Sequence, residues 1–115
     1  MKTFRYNTNE KWFKGNTHLH SLCSDGTKSF TELSELYFAK GYDFLFRTDH
    51  WVCSDTTEDD ETYPLLWMDG IELDGTDEAG SDYHVACIGK VNNIVKSNGF
   101  QSALESAKKQ NCIRI

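Results

Sequence analysis

Four histidines occur in the 115 residues, and they stand in three short groups: His18-Leu19-His20, Thr48-Asp49-His50 and Asp82-Tyr83-His84. Each group falls where an apolar run reads as the end of a strand, with Asp, Glu or Gly close by. Residues two apart on a strand share a face, so His18 and His20 present two imidazoles on one side. Asp25, in Ser24-Asp25-Gly26, lies on the loop just beyond, and Glu72, in Gly70-Ile71-Glu72, closes a third run and adds an oxygen donor. Singly, each has a plain structural explanation: a half-buried histidine pair that only hydrogen-bonds, a turn aspartate, an exposed glutamate. Together they form the donor set of a mixed imidazole and carboxylate metal site, which suits Zn, Mn or Fe and in which a carboxylate can bridge two ions. In β/α barrels the C-terminal ends of parallel strands converge on one mouth, so donors distant in sequence can surround one point.

The elements that must position these donors follow from periodicity. Residues 12–20 alternate, with Phe13, Gly15, Thr17 and Leu19 on one side and Lys14, Asn16, His18 and His20 on the other, which predicts a first strand. Ser29-Phe30-Thr31-Glu32 has the form of a capping box, Phe30, Leu33, Leu36 and Tyr37 follow at helical spacing, and Gly41 can end the helix in the left-handed conformation. Residues 42–48 form a short apolar run suited to a strand covered on both faces of a parallel sheet, which completes a β-α-β unit. The acidic, aperiodic stretch 55–61 reads as an exposed loop ending near Pro64, and it lacks the spacing of an EF-hand calcium loop. Residues 65–73 and 83–89 are further strand candidates, Phe100, Ala103, Leu104 and Ala107 mark a second helix, and residues 113–115 open another strand.

The ordered set Gly15-Asn16-Thr17-His18-Leu19-His20, Ser24-Asp25-Gly26, Gly41-Tyr42-Asp43-Phe44-Leu45, Thr48-Asp49-His50, Gly70-Ile71-Glu72 and Asp82-Tyr83-His84-Val85 resembles the PHP (polymerase and histidinol phosphatase) superfamily over residues 12 to about 90. The resemblance implies an α/β fold, the N-terminal part of a distorted (β/α)7 barrel, holding two or three divalent ions and hydrolysing phosphate esters. By the same resemblance His18 and His20 bind a first ion, Glu72 bridges first and second, His84 joins the second, and Asp25 with His50 bind a third. Asp49 is then a supporting residue that orients its neighbour or the loop. Trp12-Phe13-Lys14-Gly15-Asn16 also resembles a branch of the family that includes ester and carbamate hydrolases. The family pattern continues with a further His and a late Asp-x-His, whereas no His follows His84 here. The expectation is therefore a single partial domain over residues 1–115, truncated before the fifth strand, whose open parallel edge invites the rest of the barrel or a self-association partner.

Composition narrows the function classes. Twelve basic and 18 acidic side chains give a net charge of −6, which disfavours a nucleic-acid binder, because that affinity comes largely from clustered Lys and Arg. No stretch reaches the roughly 18 apolar residues of a membrane span, and the N-terminal residues lack a secretory signal's apolar core, so a soluble, cytoplasmic protein is expected. The four cysteines, at 23, 53, 87 and 112, form neither zinc-knuckle pairs nor a Cys-x-x-Cys motif and read as reduced, packed thiols. Ser21 and Ser24 stand near the histidines, but no Gly-x-Ser-x-Gly elbow accompanies them, nor does a Gly-rich phosphate loop. The function expected is hydrolysis of a small-molecule phosphate ester by a metal-activated water. The alternative is a noncatalytic metal-binding or interaction remnant of such a domain.

Overall fold

The computed structural model describes Thr3, Arg5 and residues 9–115; the rest of the opening segment 1–8, in which no secretory signal is expected, lies outside the described residues. The capping box forms as the sequence predicts. Ser29 Oγ accepts from the Glu32 N–H at 3.2 Å, and the Glu32 carboxylate accepts from the Ser29 N–H at 2.8 Å. This starts helix α1 (Phe30–Ala39), and Gly41, at φ 79°, turns the chain out of it. Strands β1 (Gly15–Asn16) and β2 (Phe44–Phe46) pair in parallel on either side of this crossover, and β3 (Leu66–Met68) joins β2, also in parallel. Gly15 faces Phe44 in this register, and a Cβ there would stand 2.1 Å from the Phe44 ring, so a larger residue would require that ring to move. Leu33 of α1 packs with Leu19, Leu45, Leu65 and Trp67 in a first core. Trp67 Nε1 donates to Ser34 Oγ at 2.8 Å, and that hydroxyl donates to the Phe30 carbonyl at 2.6 Å, so this core leaves neither polar group unmet.

The second half departs from an all-parallel barrel. The single strand expected over residues 65–73 breaks at Asp69, whose carboxylate accepts from Ser54 Oγ and the Thr56 N–H at 2.9 and 2.8 Å. The chain then forms β4 (Gly70–Thr76), which pairs antiparallel with β5 (Asp82–Ile88), and β5 pairs antiparallel with β6 (Ile113–Arg114). The reason lies in the connection. Only residues 77–81 separate β4 from β5, while a parallel return needs about a dozen residues or more. Asp77 builds that turn by accepting the N–H groups of Ala79 and Ser81 at 2.9 and 2.8 Å. Helix α2 (Phe100–Lys109) covers one face of this sheet, and Ala103 and Ala107 pack on Ile71, Leu73, Val91, Ile94, Cys87 and Cys112. Burial, followed by the adjoining Cys112, pushes the Cys87 thiol up to about 12.

The two sheets meet along a seam. Arg47 N–H donates to the Met68 carbonyl, Glu72 N–H to that of Asp49, and Trp51 N–H to that of Glu72, at 2.9, 3.1 and 3.0 Å, with a parallel bridge between His50 and Glu72. The architecture is mixed α/β, with one parallel and one antiparallel three-stranded sheet among the described residues. The acidic stretch 55–61 is less free than expected: Asp59 turns inward and pairs in fork geometry with Arg47, at 3.0 and 2.6 Å. Arg47 is 5% exposed, and its guanidinium lies 4.0 Å over the Phe30 ring. Among the described residues no helix is long and apolar enough to cross a membrane.

Candidate metal centre

The strand expected over residues 12–20 pairs as sheet only at Gly15–Asn16. Beyond it a side chain replaces the ladder, because the buried Thr48 hydroxyl accepts from the Leu19 N–H and donates to the Leu19 carbonyl, both at 2.9 Å. Leu19 thereby points into the first core while His18 and His20, on either side of it, face the seam. Asp49, also buried, accepts from Ser21 N–H and Ser21 Oγ at 2.7 Å each and from Ser24 Oγ at 2.6 Å. It therefore anchors the loop carrying Asp25, which is the supporting role expected of it. Gly26 closes that loop against the His20 carbonyl, where a Cβ would stand 2.3 Å from the oxygen.

All six sequence-derived residues come together, and Glu72 is their centre. Its side chain is 1% exposed, and Oε2 lies 3.0 Å from His18 Nε2, 3.0 Å from His20 Nε2 and 3.5 Å from His50 Nε2. Its other oxygen, Oε1, lies 3.1 Å from His84 Nδ1. Asp25 closes the far side, 3.6 Å from His20 Nδ1 and 3.4 Å from His50 Nε2. The His20 and His50 rings stack at 4.5 Å with 3° between their planes. Two of the six arrive by a route other than the one expected. Glu72 sits within β4 rather than at its end, and His84 lies near the start of β5. Because β5 runs antiparallel to β4, its first residues reach the same end of the sheet that a parallel strand would reach with its last.

The arrangement fits a cation. Despite two imidazole nitrogens at 3.0 Å, Glu72 Oε2 is buried with no aligned hydrogen-bond donor, and His20 Nδ1 is similarly orphaned. A buried carboxylate oxygen without a donor is costly unless something positive meets it. Ligands each about 2.1 Å from one ion stand about 3.0 to 3.4 Å apart at octahedral to tetrahedral angles, and the carboxylate–imidazole distances here run from 3.0 to 3.6 Å. Three overlapping groups could hold an ion: His18, His20 and Glu72; His20, Asp25 and His50; His50, Glu72 and His84. One residue escaped the sequence reading. Asp74 accepts from Trp51 Nε1 at 2.6 Å and lies 3.3 Å from His50 Nδ1. Burial alone would raise its carboxyl, but the indole hydrogen bond and the charges of Lys96 and His50 outweigh it and leave Asp74 below the usual carboxylate range. Its position two residues after Glu72 on the same strand was the available signal.

No protein-family model and no curated protein matches the sequence. Among solved structures, the crystal structure of a two-domain protein from Bacteroides vulgatus ATCC 8482, described as containing a predicted PHP-like metal-dependent phosphoesterase, superposes over 89% of this chain with a TM-score of 0.67 and 24% identity. The match spans 34% of that chain, about a third of its length. The likeness in three dimensions is one of fold: the chain has a fold found within a two-domain protein described as containing a predicted PHP-like metal-dependent phosphoesterase.

Proposed function

We propose that this chain carries the metal centre of a hydrolase that cleaves small-molecule phosphate esters. The observation that carries the reading is the buried Glu72 carboxylate, ringed by four imidazoles yet with Oε2 accepting no hydrogen bond. A divalent ion bound there, Zn, Mn or Fe, would supply Lewis acidity and a water acidified toward neutral pH. A neutral imidazole nitrogen has one lone pair and serves one ion, whereas a carboxylate can bridge. Two of the groups use every histidine once: His18 with His20, and His50 with His84, both sharing Glu72. In this assignment Asp25, exposed and beside His50 Nε2, completes the shell from the loop; the alternative grouping, His20, Asp25 and His50 around an ion of their own, would take those two histidines from the pair of Glu72 groups.

The protein's own part is to keep these donors bare and aimed. Thr48 holds the backbone between the first two histidines, and Asp49 holds the loop of Asp25. Hydrolysis of p-nitrophenyl phosphate by Mn- and Zn-loaded protein tests the reading, with the His18→Ala, His20→Ala double variant as control. Equal rates from both would end it. A second reading, a metal-binding module without turnover, draws on the exposure of His18, Asp25 and His84, whose side chains are 47%, 67% and 62% exposed and leave the shell open on one side. Stoichiometric metal with no ester cleavage would favour it.

A further inference from the structure

Asp74 is not among the six donors, yet its contacts converge on one of them. Glu72 and Asp74 lie two apart on β4 and face the seam, while Ile71 and Leu73 between and beside them are wholly buried in the second core. A single oxygen, Asp74 Oδ1, takes the indole N–H of Trp51 at 2.6 Å and stands 3.3 Å from His50 Nδ1. The other nitrogen of that ring, Nε2, faces the carboxylates of Asp25 and Glu72 at 3.4 and 3.5 Å. Trp51 itself has φ 57°, the left-handed region that a bulky residue rarely occupies. Its backbone is pinned by its N–H bond to Glu72 and its side chain by Asp74.

We propose that Asp74 is a positioning residue that fixes His50 as the Nδ1–H tautomer, so that Nε2 presents its lone pair to a bound cation. The inference rests on the metal-hydrolase reading above. A neutral imidazole carries its proton on one nitrogen only, and a carboxylate beside Nδ1 accepts that proton's hydrogen bond and leaves Nε2 bare. With the His20 ring stacked against His50 and Asp74 gripping its far edge, the ring is held against rotation as well. Trp51 acts differently, by tying Asp74 to the turn after His50, and the two roles separate by mutation.

The test uses Asp74→Asn and Trp51→Phe. Nitrogen NMR shifts of the histidine rings in the metal-free protein report the tautomer without any ion or activity. Zn affinity is measured by competition with a chromophoric chelator. In the wild type, His50 is expected as Nδ1–H. Asp74→Asn is expected to convert His50 to a tautomer mixture and weaken Zn binding about 10- to 100-fold with the melting temperature little changed. Trp51→Phe, which removes only the indole donor, is expected to lower the melting temperature and keep the tautomer. An unchanged tautomer and affinity in Asp74→Asn overturns the proposal, as does an equal change in both variants, which would make Asp74 a merely structural partner of Trp51. Failure of the wild type to retain any metal would overturn the metal reading instead, and the ring shifts of the metal-free proteins would still decide the role of Asp74.

Discussion

Replacing Thr48 by Val sets two effects of opposite sign against each other. The two side chains have nearly the same shape, and Val is at least as good a strand former, so burial and propensity alone predict a neutral or stabilising change. The structure predicts the reverse. Thr48 is completely buried, and its hydroxyl satisfies both backbone groups of Leu19 at 2.9 Å, in place of a sheet ladder. Valine would leave that N–H and that carbonyl unmet in the interior, at about 1 to 3 kcal/mol each, against at most about 1 kcal/mol gained from the extra methyl. A net loss of about 1 to 6 kcal/mol follows. At about 4 °C per kcal/mol for a chain of this size, the melting temperature of the metal-free protein should fall by about 4 to 24 °C. Thr48→Ser, which keeps the hydroxyl and loses a methyl, should fall by less than half as much. Calorimetric melts of the three proteins decide it. A Thr48→Val protein that melts at or above the wild type would refute the view that this hydroxyl holds the His18-Leu19-His20 segment.

Asp59→Ala should be costly, because it strands the buried Arg47 guanidinium, at about 3 to 5 kcal/mol for an unpaired buried charge. Adding Arg47→Met should recover most of that loss, as measured by urea midpoints; a loss below about 1 kcal/mol in the single variant would mean that stacking on Phe30 suffices. The Asp55 carboxyl is lowered to about 2, by its hydrogen bond from Lys90 first and then by Thr57. A depressed carboxyl stabilises the fold above its ordinary value of 3.8 and loses that contribution as pH falls through about 2. The melting-temperature difference between wild type and Asp55→Asn should therefore be constant above about pH 5 and shrink between about pH 4 and pH 2. A difference that grows on acidification would contradict the pairing.

Local signals in the sequence carried far. Ser29 and Glu32 form the cap they promise, Gly41 ends the helix, and the β-α-β unit that follows is parallel as expected. That six residues would gather at one place was legible because histidine is scarce here and each one stands in a short motif. What escaped was set by spacing and by distant partners. The nine residues between Leu73 and Tyr83 are too few for a parallel return, and the apolar runs on either side carry no mark of strand direction. Asp59 and Arg47 are twelve positions apart, and nothing local in an acidic stretch marks which carboxylate turns inward. Asp74 was hidden similarly: its partners His50 and Trp51 lie on a different segment, so only the fold brings them within reach.

The gathering of imidazole and carboxylate donors around bound divalent ions is most directly tested by the X-ray absorption spectrum of the Zn-loaded protein. It should show a nitrogen and oxygen shell at about 2.0 to 2.2 Å with the outer-shell pattern of several imidazoles and no sulfur. A shell containing sulfur at about 2.3 Å, or oxygen alone without imidazole, would place the ion elsewhere and contradict the assignment of His18, His20, His50, Glu72 and His84.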